Sequence, residues 1–290
     1  MIAALEAKGL RKAYGPLVAV DDLSFEVHPG EIVGLLGPNG AGKTTALQLA
    51  LRLLHADAGS SRVFGKDPED LAARRRIGYA PDAALFPPAM TGMRLLELHC
   101  DLLGVPRSRA AAAVEQLGMK EASLRPTATY SRGQAQRLGL AQALLGEPDL
   151  VLLDEPTAGL DPAGVARIRE VLVGLRARGA AVLLNSHLLS EVERICDRVL
   201  FIKAGRLLRA HDVRGAGRHV EVRLRNPRHL AALHPDARLE GDRLRLAIAS
   251  EDAVPALVRE LVAQGAEIVE VILKGAELEE LYLQLVEGVA

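Results

Sequence analysis

Eight consecutive residues, Gly37-Pro38-Asn39-Gly40-Ala41-Gly42-Lys43-Thr44, set three glycines, a lysine and a hydroxyl at the spacing G-x-x-x-x-G-K-[ST]. Glycines at those points let backbone N–H groups turn inward around phosphate oxygens, and a helix beginning near Gly42 adds its positive end to the same anion. Lys43 is then expected to reach the β- and γ-phosphates of a nucleotide and Thr44 to ligate Mg²⁺, with Thr45 beside it in the same cradle. A chance match is the alternative in a chain carrying 27 glycines. The surroundings oppose it: the apolar run Ile32-Val33-Gly34-Leu35-Leu36 precedes the loop, and Leu47, Leu51 and Leu54 follow at helical spacing. The loop alone does not choose among phosphate-loop families.

Roughly 110 residues further on, Leu150-Val151-Leu152-Leu153-Asp154-Glu155 is an apolar strand ending in two acids. One acid there can hold Mg²⁺ through its water shell and a second can polarise the attacking water. We assign Asp154 to the metal and Glu155 to the general base. Acids at a strand end are also ordinary solvated turn residues; the distance from the phosphate loop and the following Pro156-Thr157 favour the catalytic reading.

These groups need a scaffold. Ile32–Leu36, Leu150–Leu153 and Ala181–Leu184 are continuous apolar runs of the kind that suits parallel strands covered on both faces. Open α/β sheets place their ligands at the carboxyl ends of such strands. Residues 2–8 and 22–28 read as short strands, 165–178 as a crossover helix closed by Gly179, and about 85–147 as a helical insertion broken at Gly104-Val105-Pro106 and Arg125-Pro126. The expected division is a nucleotide domain over 1–210, a linker over 211–218 and a small α+β unit over 219–290. In that unit Val220, Val222, Leu224 and Leu244, Leu246, Ile248 alternate as strands. Ser250 is expected to cap a helix bearing Val254, Leu257, Val258, Leu261 and Val262 on one face, ended by Gly265; Ile268–Leu273 is a strand, and Leu278, Leu281, Tyr282, Leu285 and Val286 stripe a last helix.

The bulk numbers exclude several classes. Of 290 residues, 36 are Lys or Arg and 37 Asp or Glu, a net charge of −1, so no general positive field recruits nucleic acid. Cys100 and Cys196 form no metal or redox spacing and are expected as reduced thiols. No run approaches the ~18–20 apolar residues of a membrane-spanning helix, and the opening MIAALEAKGLRKAYG is too charged for a secretory signal. The expectation is a soluble, cytoplasmic chain that reaches a membrane only through a partner.

Tyr130-Ser131-Arg132-Gly133-Gln134, followed by Ala135-Gln136-Arg137-Leu138, resembles the signature loop of ATP-binding-cassette (ABC) ATPases in the variant of drug-export and related members. Taken as residues, Ser131 offers a hydroxyl and Gly133 an N–H at a helix start whose dipole favours anions; a plain capped helix is the competing reading. Other family marks stand in order: Tyr14-Gly15 resembles the adenine-stacking aromatic, Ala158-Gly159-Leu160-Asp161 the loop that communicates across a dimer, and His187 the switch histidine at the γ-phosphate. The resemblance covers about residues 2–210. It implies the cassette fold, with a mixed sheet core, an antiparallel β lobe and the helical insertion.

The resemblance further implies ATP and Mg²⁺ as ligands. It also implies a second cassette subunit, in a homodimer, whose Ser131, Arg132, Gly133, Gln134 and Asp161 face the first subunit's ATP. A separate membrane permease would be driven by dimer closure, with this chain peripheral on the inner face of the membrane. Two positions depart from the family pattern. Asp82 stands after Ile77-Gly78-Tyr79-Ala80-Pro81 where glutamine is common, which leaves its contact with Mg²⁺ tighter, water-mediated or lost. Arg132 replaces the first signature glycine, and its side chain points either out of the loop or onto phosphate. The carboxy-terminal unit resembles the accessory tail of drug-export ATPases. Rival readings are a cassette ATPase acting on ribosomes or DNA, which typically carries tandem cassettes or long coiled coils, and a solitary phosphate-loop kinase or GTPase, which would leave Ser131–Gly133, Asp161 and His187 without roles. A binding-only regulatory cassette is a third, opposed by Lys43 and Glu155 and favoured by Asp82 and Arg132.

Overall fold

A computed structural model of the chain describes residues 2–186, 188–213, 219–226, 237–248, 253–274 and 278–287. The chain divides into two compact units, one of residues 1–211 with those from 284 onward, the other of residues 212–283. The first unit thus extends one residue past the expected boundary, and the strand Arg206–Asp212 occupies the first two positions of the expected linker.

In the first unit, β1 (Leu5–Tyr14) and β2 (Leu17–Val27) form an antiparallel hairpin. Both are longer than expected, because register shifts along β1 between Ala7 and Ala13 interrupt the alternation that marks a strand in sequence. The next strands are β3 (Ile32–Leu36), β4 (Ala58–Val63), β5 (Ile77–Ala80), β6 (Leu150–Asp154), β7 (Ala181–Asn185), β8 (Arg198–Lys203) and β9 (Arg206–Asp212). β4 joins the hairpin in a three-stranded sheet, order β2-β1-β4, and the other six form one sheet of order β5-β6-β7-β3-β8-β9. Pairing among β5, β6, β7, β3 and β8 is parallel. Every residue of β3, β6 and β7 is buried, which explains their unbroken apolar character. The β6–β7 register sets Asp154 directly opposite Asn185.

Helices α1 (Lys43–Ala50) and α2 (Leu71–Arg74) follow β3 and β4; α3 (Gly92–Leu103), α4 (Ser108–Gln116) and α5 (Arg132–Leu144) fill the insertion. Thr91 caps α3, accepting from the Arg94 N–H, and Gly104 ends it in the left-handed region. α5 opens with a capping box in which Ser131 accepts from the Gln134 N–H and the Gln134 side chain accepts from the Ser131 N–H. α6 (Pro162–Ala177) begins three residues before the expected start because Asp161 caps it, accepting from the Gly164 N–H at 2.9 Å, and Pro162 fits the first turn. α7 (Leu189–Ile195) leads into β8. Both cysteines are free and buried, and burial pushes both thiols up.

The second unit holds β10 (His219–Leu224), β11 (Arg238–Glu240), β12 (Arg243–Ala247) and β13 (Ile268–Lys274) in an antiparallel sheet of order β11-β12-β10-β13. Val220, Val222, Leu224, Leu244 and Leu246 form its core with Leu261 of α8 (Val254–Ala263). The expected capping Ser250 lies outside the described residues; α8 opens instead on Val254-Pro255. The expected last helix is α9 (Leu278–Tyr282), continued by a π-helical turn over Leu283–Glu287. Glu221, nearly fully buried, accepts from Arg243 at 3.1 Å and Arg245 at 2.8 Å, so its charge is compensated.

Candidate nucleotide site

The loop after β3 turns sharply into α1, and close approach dictates two of its glycines. A Cβ at Gly37 would lie 2.2 Å from the Ile202 carbonyl oxygen; one at Gly42 would lie 2.1 Å from that of Ala19, and Gly42 also has φ +96°. Lys43 is buried and donates through Nζ to the carbonyls of Gly37 at 2.8 Å and Pro38 at 3.1 Å. Burial lowers its pKa, and the nearby Glu155 and Asp154 carboxylates work against that shift.

Facing it, β6 delivers Asp154 and Glu155. Asp154 is 2% exposed, and it accepts from the Asn185 side-chain amide across the β6–β7 register and from the Thr44 hydroxyl. Burial raises its pKa, and Asp82 and Glu155 add to the rise while the two hydrogen bonds oppose it. Glu155 adopts φ +51°, the left-handed region that only an over-determined backbone holds in a non-glycine residue. Its N–H donates to Asn185 Oδ1 at 2.8 Å, and its carbonyl accepts from Gln136 Nε2 of α5 at 3.2 Å. Asn185 and Gln136 are therefore site residues that had no assigned role in the sequence. The one trace in the sequence is that Asn185 is a polar residue closing the apolar run Ala181–Leu184; Gln136 carries none, and both are buried.

A cleft of about 430 Å³ collects Tyr14, Asn39, Gly40, Ala41, Gly42, Lys43, Thr44 and Thr45 with Asp82, Asp154, Glu155 and Asn185. Tyr14, 49% exposed at the end of β1, carries the Lys12 ammonium 5.8 Å from its ring centroid. Gly37 and Pro38 do not line the cleft; their carbonyls hold Lys43, which does. Ser131, Arg132, Gly133, Gln134 and Asp161 do not line it: the first four open α5 and Asp161 caps α6. Arg132 points out of its loop, and Nη2 donates to Asp82 Oδ1 at 2.9 Å. His187 lies outside the described residues. Among the described residues no three His, Cys, Asp or Glu side chains cluster as a metal cage. The donors that are present, a threonine hydroxyl and carboxylates, are the hard oxygens Mg²⁺ takes when phosphates complete its shell.

A phosphate loop between a buried parallel strand and a helix, opposed by acids at the end of a neighbouring strand, defines the class as a phosphate-loop nucleotide-binding α/β domain. Comparison with known proteins narrows it. The family model described as ABC transporter matches residues 20–158. The ABC transporter ATP-binding protein YhcH of Bacillus subtilis (strain 168) is 34% identical over 295 residues, covering 98% of this chain and 96% of its own. The Nod factor export ATP-binding protein I of Burkholderia thailandensis is 41% identical over 71% of this chain and 69% of its own. A dimeric ATP-binding cassette solved in a post-hydrolysis state with ADP and Pi superposes with TM-score 0.68 at 25% identity, over 73% of this chain and 99% of that one. The chain belongs to the ABC transporter ATP-binding proteins. It spans 59% and 54% of the length of two relatives from Nostoc and Synechocystis.

Proposed function

We propose that the chain is the ATP-hydrolysing subunit of an ABC transporter, powering export through a separate membrane permease. The observation that carries this reading is the convergence of Lys43, Thr44, Asp154 and Glu155 on one cleft. Tyr14 stacks the adenine, and Lys43 leaves the Gly37 and Pro38 carbonyls to meet the β- and γ-phosphates. Thr44, Asp154 and Asp82 would hold Mg²⁺, which would neutralise charge on the phosphates. Glu155, fixed through its backbone by Asn185 and Gln136, orients the attacking water in line with the γ-phosphate. His187 is assigned to the same phosphate on the family resemblance alone.

Ser131 and Gly133 come from a second cassette, so ATP joins two subunits and hydrolysis releases them. Export rests on the signature variant and on similarity to the Burkholderia protein. Among the described residues no helix is long and apolar enough to cross a membrane; the peripheral place on the cytoplasmic face rests on the family resemblance.

The test is Mg²⁺-ATP hydrolysis across a protein concentration series, beside Glu155→Gln. We expect the rate per subunit to rise with concentration and to collapse in the variant while ATP binding persists. Unchanged turnover in Glu155→Gln removes Glu155 from the role of base.

A further inference from the structure

The two residues that depart from the family pattern, Asp82 and Arg132, are bonded to each other. They are 50 positions apart and sit on different parts of the first unit: Asp82 two residues beyond β5, Arg132 at the first position of α5. Asp82 lines the cleft with Asp154 and Glu155, three carboxylates against the one ammonium of Lys43. Arg132 does not line it and reaches Asp82 from outside. Its aliphatic stem lies over Gly159, where a Cβ would approach Arg132 Cδ to 3.1 Å. A Cβ on the adjacent Gly133 would meet the Gly159 carbonyl and Leu160, each at 2.9 Å. From the signature turn, one side chain therefore touches both Asp82 beyond β5 and the loop before α6.

We propose that Arg132 is a positioning residue that holds the Asp82 carboxylate away from the metal position in the nucleotide-free subunit and releases it when Mg²⁺ and nucleotide load. This rests on the nucleotide reading above. Without a cation between them, Asp82, Asp154 and Glu155 are like charges lining one cleft, and a guanidinium outside the cleft is the favourable partner of Asp82. A divalent cation among the same carboxylates reverses that preference, so Asp82 turns inward. Arg132 is then freed at the mouth of its own signature turn. The contact is single rather than the two-bond fork arginine can make, and the side chains are 64% and 42% exposed. Such a pair is worth at most about fivefold in an equilibrium, weak enough to exchange on each cycle.

The test measures binding of a fluorescent ATP analogue against free Mg²⁺ in the full chain, for Arg132→Ala, Arg132→Lys, Asp82→Asn and Asp82→Asn with Arg132→Ala. Arg132→Ala should move the Mg²⁺ midpoint to lower concentration by about two- to fivefold. Arg132→Lys should stay near the parent chain, and Arg132→Ala should change nothing once Asp82 is Asn. An equal shift in both backgrounds would mean that Arg132 acts on phosphate directly, and it overturns the proposal, as does superposition of Arg132→Ala on the parent. If the parent chain binds no nucleotide at any Mg²⁺ concentration, the nucleotide reading itself falls. Mg²⁺-dependent binding with uncoupled variants removes only the positioning role.

Discussion

Asn185→Ala should separate the acids of the site from their support. Asn185 is 1% exposed and serves both carboxylate residues: its amide donates to Asp154 and its Oδ1 accepts from the Glu155 N–H at 2.8 Å. A hydrogen bond to a buried charge contributes about 1.5–3 kcal/mol, and a neutral one about 0.5–1.5 kcal/mol. The second loss is partial, because the Glu155 N–H also reaches the Asn185 carbonyl at 3.2 Å, which a substitution leaves in place. The expected cost is about 2–4 kcal/mol in the unfolding of the first unit, read by urea denaturation without nucleotide.

The pH dependence of Asp154 sharpens the test. Its folded pKa is raised, chiefly by burial, so between the unfolded and the folded value the native state binds more protons. Stability therefore falls as pH rises through that window and is level above it. Asn185→Ala removes one bond to the charged form, which moves the folded pKa further up and widens the window. Asn185→Asp places a second carboxylate against Asp154 and should widen it more. A cost under about 0.5 kcal/mol for Asn185→Ala, with a pH profile matching the parent, would refute the claim that Asn185 carries this corner.

Asp154→Asn removes the desolvated charge while keeping an oxygen toward Asn185. The nucleotide-free chain should melt higher at neutral pH, with the gain shrinking on acidification, and Mg²⁺ should no longer tighten nucleotide binding. Tyr14→Ala should weaken a fluorescent ATP analogue by roughly 5- to 100-fold, the scale of a lost base–aromatic stack, with Tyr14→Phe close to the parent; equal affinity for Tyr14→Ala refutes stacking. Gln136→Ala withdraws the donor to the Glu155 carbonyl and should lower kcat several-fold with little change in nucleotide affinity, as steady-state kinetics and equilibrium binding would separate.

Much of the scaffold was legible because burial on both faces leaves an unmistakable mark: Ile32–Leu36, Leu150–Leu153 and Ala181–Leu184 are apolar without a break. The hairpin was read short, since the register shifts along β1 erase its period. β8 and β9 went unassigned although Val199–Ile202 are apolar; β9 is a largely exposed strand with little patterning. The phosphate loop and the acids were legible as local motifs. Asn185 and Gln136 were not, because their roles depend on which strand lies beside β6 and which helix face packs on its end. The Asp82–Arg132 bond is hidden for the same reason: each residue departs from the family pattern by itself, and only the fold brings them together.

The parallel register of β6 and β7 also says where this chain tolerates insertions and deletions. Asp154 meets Asn185 because the two strands run in step from Leu150↔Ala181 onward. Residues gained or lost between α6 and β7 fall outside the paired segment and leave that step intact. A single residue added inside either strand turns every later side chain to the opposite face, parting the acid from its amide and driving a carboxylate into the core. Length variation among descendants of this sequence should therefore collect between α6 and β7 and be absent from the ten positions Leu150–Asp154 and Ala181–Asn185.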